Sequence, residues 1–291
     1  MPQAPLSQLK AEAAALASDL GTLTTHARAA SAAQMGSAGR RRSGMGENFW
    51  QYRRHKQEDG AERIDWRRSA REEHLFVRET ELETARTFLF WADPSPGFHW
   101  SSDAAIPHKA DRALLLCMAL AGVLARSGER CGALGGRRGP ASGARAIARV
   151  GEDIRSYVSG MPFPAPPRER AAVIICSDFY SPLSDWRAKL SPIASKCRDG
   201  VLLQVCDPVE EAYPFSGRVR FFRPGQERER LIGRAESIRD GYVQKFAQRR
   251  QDMTDLASAL GWRFIAHVTS EPARTPLGSL AYGFSVSGAA S

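Results

Sequence analysis

Four short apolar runs, spread along the chain from about residue 85 onward, constrain the fold more than any other feature. They are FLFWA (88–92), VIIC (173–176), VLLQVC (201–206) and RFIAHV (263–268), with a weaker run, CGALG, at 131–135. Helical segments fall between them, at about 108–126, 143–158, 183–197 and 234–260. Strands that are apolar throughout, alternating with helices, belong to a parallel sheet covered on both faces. The alternation therefore predicts an α/β fold with a doubly wound, mainly parallel sheet. One segment breaks the rhythm: in 217–232, RVRFF is followed by Pro224-Gly225 and then RERLI, the pattern of an inserted β-hairpin. MPFPAPPR (161–168) reads as a stiff connector.

Upstream of the first run the composition changes twice. In residues 1–39, Leu9, Ala13, Leu16, Leu20, Leu23 and Ala27 recur at spacings of four and three, which puts one apolar stripe on a helix. That stripe suits packing on the main domain or on a second copy, and SAAQMGSAGR after it reads as a linker. The formal charge of the chain is +9, and between Arg40 and Arg71 ten Arg/Lys stand against five Asp/Glu. The expected organisation is thus an N-terminal helix and linker (1–39), a basic segment packed on the main domain (40–84), the α/β domain (85–284) and a tail (285–291).

Several functional classes drop out on pattern alone. The longest apolar helical stretch, Ala113 to Ala125, is short of the roughly 20 residues that cross a bilayer. The amino-terminal residues lack a basic-then-apolar signal region, so a cytoplasmic location is expected. Five scattered cysteines, with no CxxC and no Cys/His cluster, indicate neither a disulfide framework nor a zinc site. The loop GGRRGPASG (135–143) lacks the GxxxxGK[ST] pattern, so no nucleotide is expected and it reads as a surface loop. The six histidines form no HExxH pattern and adjoin no nucleophile motif.

Chemistry concentrates where three of the strands run into an acid: Ala92-Asp93, Ser177-Asp178 and Cys206-Asp207. In an open α/β sheet the ligand crevice lies outside the carboxyl ends of the strands. Asp93 and Ser95 on one turn, with Asp178 from another strand, form an oxygen-rich set of the kind hard cations use. The alternative role for such aspartates is to cap the next helix, and this is the favoured reading for Asp207.

The stretch from Gly39 to Ser95 then carries a resemblance. Its basic, Gly-rich start, the block Arg63-Ile64-Asp65-Trp66-Arg67-Arg68-Ser69-Ala70-Arg71 and the following Val77-Arg78-Glu79 resemble the family known as domain of unknown function 58. The Asp93-Pro94-Ser95 turn, Ser177-Asp178-Phe179, Asp207-Pro208-Val209-Glu210 and Gly261-Trp262-Arg263 are similar to that family too, over roughly residues 36–284. The resemblance implies a von Willebrand factor A-like domain and a metal-ion-dependent adhesion site. Asp93 and Ser95 match that site's first ligands, Asp178 its last, and Ser142 stands near the loop of a further one. The pattern is degenerate here: Gly97 replaces the second serine, and no threonine occurs between 88 and 253. Magnesium or another divalent cation is the cofactor so implied.

By the same resemblance the expected function is a non-enzymatic adaptor. Its partners would be a MoxR-type AAA+ ATPase and other von Willebrand A-like proteins, and its task protein or metalloenzyme maturation. Arg63, Asp65, Trp66, Arg67, Arg68 and Arg71 are read in two ways: as a partner-binding surface, since Trp and Arg dominate interface hot spots, or as an anchor whose Ile64, Trp66 and Ala70 pack inward. Two alternatives stand beside the adaptor. One is nucleic-acid binding through 40–71, where Trp50, Tyr52 and Trp66 lie among arginines, although the five acids there dilute the electrostatic footprint. The other is a metal-dependent hydrolase, for which no general base or nucleophile is evident.

Overall fold

A computed structural model describes residues 3–34, 43–56, 59–60, 64–70, 74–81, 85–168, 170–197, 199–222 and 229–287. In chain order the elements are α1 (Leu6–Gln34), β1 (Ser43–Arg54), α2 (Trp66–Ser69), β2 (Phe76–Glu81), β3 (Thr87–Ala92), α3 (Lys109–Arg126), β4 (Arg130–Ala133), α4 (Arg145–Arg155) and β5 (Ala172–Ser177). They continue as α5 (Leu183–Ala194), β6 (Asp199–Cys206), α6 (Pro208–Ala212), β7 (Val219–Phe222), β8 (Glu229–Ile232), α7 (Arg239–Ala259), β9 (Arg263–Val268) and α8 (Arg274–Ser287). Two compact units result: Met1–Ala29 with Arg86–Phe284, and Ala30–Ala85 with Ser285–Ser291.

The first unit is built on a five-stranded sheet of order β4-β3-β5-β6-β9, parallel throughout. The apolar runs form its strands because both faces are covered. Every residue of β3 and β5 is buried, and alternate residues enter opposite cores. Phe88, Phe90 and Ala92 join a core with α1, α3, α4 and α8, while Leu89 and Trp91 join one with α5 and α7. The apolar helix α3 has Asp111 in its first turn and Arg126 in its last, each matched to the helix dipole. Gly128, with φ at +84°, ends it. The hairpin β7–β8 is antiparallel and lies between β6 and β9 in the chain, as the sequence predicts, although its Pro224-Gly225 turn lies outside the described residues.

The second unit pairs β1 and β2 antiparallel, with Ile64 bridged to Val77. Asp65 caps α2: its Oδ1 accepts from the Arg68 N–H (3.0 Å), and its Oδ2 from the Tyr52 hydroxyl (3.1 Å). The Ser69 hydroxyl donates to the Asp65 carbonyl and accepts from the Phe76 N–H, which ties the turn to β2.

Strand pairing in 43–81 escapes sequence reading because the polar, Arg-rich strands carry no clean alternation. The helix α8 was not singled out from sequence either, although its Leu277, Leu280, Ala281 and Phe284 keep helical spacing and are buried. Of the apolar stripe of α1, Leu9, Ala13 and Leu20 are buried in the α3 core and Leu16 is half-buried against it, with Ala17 added to the buried set; the side chains of Leu23 and Ala27 lie outside those described. This helix also runs on through Gln34, into the segment whose composition suggests a linker; residues 35–42 lie outside the described residues.

Candidate functional site

In the strand order, the chain leaves β3 toward β4 on one side and returns to β5 on the other, so the carboxyl ends of β3 and β5 flank a topological switch point. Ligand crevices form at such points. Asp93 and Asp178 stand there, one on each strand end, and the Asp93 N–H donates to the Cys176 carbonyl (2.9 Å). Beside them opens a cavity of about 730 Å³, within the usual range of binding pockets. Its walls are largely aromatic, from Trp91, Trp100, Phe163, Tyr180, Trp186, Tyr213 and Phe221, and its charged lining includes Asp93, Asp178, Glu210 and Lys109.

The three strand-end aspartates have different surroundings. Asp207, fully buried, accepts at Oδ1 from the Val209 N–H (3.0 Å) and at Oδ2 from the Ser102 N–H (2.8 Å), and forms a capping box with Glu210. It is a structural cap. Asp178 accepts at Oδ2 from the Lys109 ammonium (3.0 Å) and at Oδ1 from the Tyr180 N–H (3.1 Å). Asp93 accepts at Oδ1 from the Ser95 N–H (2.8 Å) and at Oδ2 from the Ser177 hydroxyl (2.6 Å). Phe179, next to Asp178, takes a left-handed φ of 57° and is buried edge-on against Trp186 (4.8 Å between ring centres). A bulky residue there is strained, by about 1–3 kcal/mol, and the turn is held by its packing.

Lys109 is the organising group, a role that sequence reasoning did not assign to it. It is 1% exposed, and its ammonium donates to Asp178 (3.0 Å) and to Glu210 Oε1 (2.7 Å). The Tyr180, Trp100 and Phe98 rings surround it, at 5.3–5.9 Å from Nζ. Burial alone depresses an ammonium, but the Asp178 and Glu210 carboxylates more than restore it, so its pKa lies above the ordinary lysine value. Burial pushes the Asp178 and Glu210 carboxyls up, and the Lys109 charge opposes that. Glu210 was missed as well, because its two oxygens serve different tasks: Oε2 accepts from the Asp207 N–H (2.8 Å) while Oε1 faces Lys109. The signals were a lysine opening an otherwise apolar helix, and a glutamate three residues after a capping aspartate.

Asp93, Ser95 and Asp178 do line one cavity, whereas Ser142 is exposed in the β4–α4 connection and does not line it. The donor set does not fit a divalent cation as it stands. Asp178 is already ion-paired, Asp93 is hydrogen-bonded at both oxygens, and an ammonium lies where a second positive charge would be repelled. Among the described residues no group of three or more His, Cys, Asp or Glu side chains is spaced to hold a metal ion.

In the signature block, Ile64 is buried but Trp66 is 62% exposed, and Arg67, Arg68 and Ala70 are exposed. Within its own unit α2 leaves Trp66 and Ala70 exposed, and Ile64 alone of the three is buried. Arg68 stacks over the Tyr52 and Phe76 rings (4.6 and 5.3 Å). Arg63 and Arg71 lie outside the described residues. No helix among the described residues is long and apolar enough to cross a membrane.

Neither curated proteins nor solved structures returned a match to this sequence. A family model does match, over residues 51–252, which include the signature block, the crevice and the hairpin. The chain belongs to the family described as protein of unknown function DUF58.

Proposed function

We propose that the chain is a non-enzymatic protein-binding module with a von Willebrand factor A-like domain, an adaptor for a MoxR-type AAA+ ATPase in protein or metalloenzyme maturation. The observation that carries this reading is the way the crevice charges are held. Lys109 is fixed between Asp178 and Glu210, Asp207 caps α6, and Asp93 accepts from Ser95 and Ser177. Those groups form a walled recognition surface, not a nucleophile with an adjacent base. The Asp93-Pro94-Ser95 turn at the end of β3, in a parallel sheet covered on both faces, supports the von Willebrand A-like assignment.

In this reading the crevice works without a divalent cation, since Lys109 supplies the local positive charge. The exposed Trp66, with Arg67 beside it, offers a second contact surface on its own unit. A metal-dependent hydrolase has less support, because its carboxylates would have to part from Lys109 first. An ATP-consuming partner places the protein in the cytoplasm.

Affinity capture of the tagged full chain from its native lysate, with magnesium and ATP present, tests the adaptor role. Enrichment of a MoxR-type ATPase over an untagged control, weakened by Trp66→Ser, is the expected result. Recovery of no AAA+ ATPase, or of nucleic-acid complexes in its place, overturns it.

A further inference from the structure

We propose that the aromatic cavity beside Asp93 receives an arginine side chain from a partner polypeptide, with the Asp93 carboxylate as its counter-ion. The inference rests on the protein-binding reading above and names what that site recognises.

Charge points to a cation. Lys109 is committed to Asp178 and Glu210, and Arg220 on the rim is paired with Glu229 (3.0 Å). Asp93 has serine donors only, and no basic side chain is ion-paired with it among the described residues. The titratable groups that feel its charge are Asp178 and His99, and burial holds His99 below the ordinary histidine value, uncharged at neutral pH. A half-buried carboxylate on the cavity lining, with no ion-paired partner, favours an incoming cation, and the Lys189 ammonium on the same lining is stacked on Trp186.

The walls suit a flat cation in particular. Trp100 and Tyr180 are half-buried on the cavity lining, with Trp91 and Trp186 more deeply buried there, and Lys189 stacks on Trp186 at 4.9 Å, so this wall holds a cation in the chain itself. A guanidinium stacks on such rings and still directs N–H groups at a carboxylate in the ring plane, which an ammonium does less well. Each Asp93 oxygen has accepted one hydrogen bond, leaving a lone pair on each for the fork.

Two further groups indicate that the arginine arrives on a polypeptide. The Trp186 indole N–H and the Tyr213 hydroxyl are buried without a hydrogen-bond partner among the described residues, and both residues line this cavity. Both atoms are closed to solvent in the free chain, and turning either ring toward the cavity would let a peptide carbonyl supply the acceptor it lacks. Exposed apolar side chains on the rim, Met161 and Phe222, extend the surface beyond what one side chain covers.

The test is a titration of the purified full chain, followed by tryptophan fluorescence and calorimetry. The probes are blocked pentapeptides Ala-Phe-X-Phe-Ala with X as Arg, citrulline or Glu, together with free arginine. Saturable binding of the Arg peptide is expected, weakened about tenfold or more in Asp93→Asn and with citrulline, and absent with Glu. Asp93→Asn is isosteric, so an unchanged melting curve separates lost recognition from lost folding. Equal binding of the Arg and citrulline peptides, binding of the Glu peptide, or affinity untouched by Asp93→Asn overturns the proposal. Free arginine binding as tightly as the peptide overturns the polypeptide part of it. None of these readings involves the ATPase, so peptide recognition without capture of the ATPase removes the adaptor role alone, and the reverse result removes the arginine alone.

Discussion

On one face of the sheet, Phe88, Phe90 and Ala92 meet small and aliphatic side chains of α1, α3, α4 and α8. On the other, Leu89 and Trp91 meet Trp186, Trp262, Phe179 and Phe264. The first face is closed by small residues: a Cβ on Gly122 would lie 2.8 Å from Ala17 and 2.9 Å from Ile147, so α1 and α4 pack directly on α3. The second face is filled with rings, which cannot close over the carboxyl ends of the strands and leave the cavity there. Close packing on one side gives a rigid base, and the rings on the other give the cavity a wall with few rotatable bonds. Lys109 connects them: its backbone opens α3 on the closed face, and its ammonium serves the open one.

The largest effect is expected where the two faces join. Lys109→Met leaves Asp178 and Glu210 buried without their cation and should cost about 3–5 kcal/mol in denaturant unfolding. Adding Asp178→Asn and Glu210→Gln should recover part of that loss. Wild-type stability in the single variant would mean that the ammonium is not what holds the crevice.

The next pair compares the faces directly. Leu120→Ala, fully inside the closed core, should cost about 3 kcal/mol, while Phe163→Ala, half-buried at the open face, should cost about half as much. Equal losses would break the distinction between a packed base and an open wall.

Acid should also act through the closed face. His267 is 1% exposed, shares its face of β9 with Ile265, and has a pKa lowered to about 4 by burial and by the Arg112 charge. The Glu271 carboxylate lies 3.6 Å from Nδ1 and is half-exposed, too distant to offset the burial. A depressed pKa means that the stability is fully present above the unfolded value near 6.5 and is lost as pH falls toward 4. This group accounts for about 2–3 kcal/mol of that decline, and His267→Met should flatten the slope of stability between pH 6.5 and 4.

The smallest effect on stability belongs to the open face. Asp93→Asn should shift unfolding by less than about 1 kcal/mol, since the Ser95 N–H keeps the remaining oxygen as its acceptor and the Ser177 hydroxyl can turn to accept from the new amide. Melting curves would show it, and a larger loss would make Asp93 a structural residue.

Much of the α/β domain could be read from residues. Continuous apolar runs such as VLLQVC mark strands buried on both faces, and the Pro224-Gly225 break marked the inserted hairpin. The crevice acids were legible for the same reason, since strand ends in such a sheet share one edge. What each acid does was not. Asp93, Asp178 and Asp207 occupy equivalent positions in sequence, and their roles diverge because Lys109, Ser177 and Ser102 approach from segments 69 to 105 residues away. Trp66 shows the same limit: a tryptophan between an aspartate and two arginines fits an anchor or an exposed contact equally well, and residue types alone do not choose between them.

By itself, then, the sequence determined the alternation of elements, the two-sided burial of the sheet and the edge on which carboxylates collect, because periodicity and burial are local properties of a chain. The tertiary structure alone decided that Lys109 pairs with Asp178 and Glu210, that Asp93 is left with serine donors only, and that aromatic side chains line the cavity beside it. Those are pairings between distant residues, and electrostatic partners are set by distance in space, which spacing along the chain does not encode.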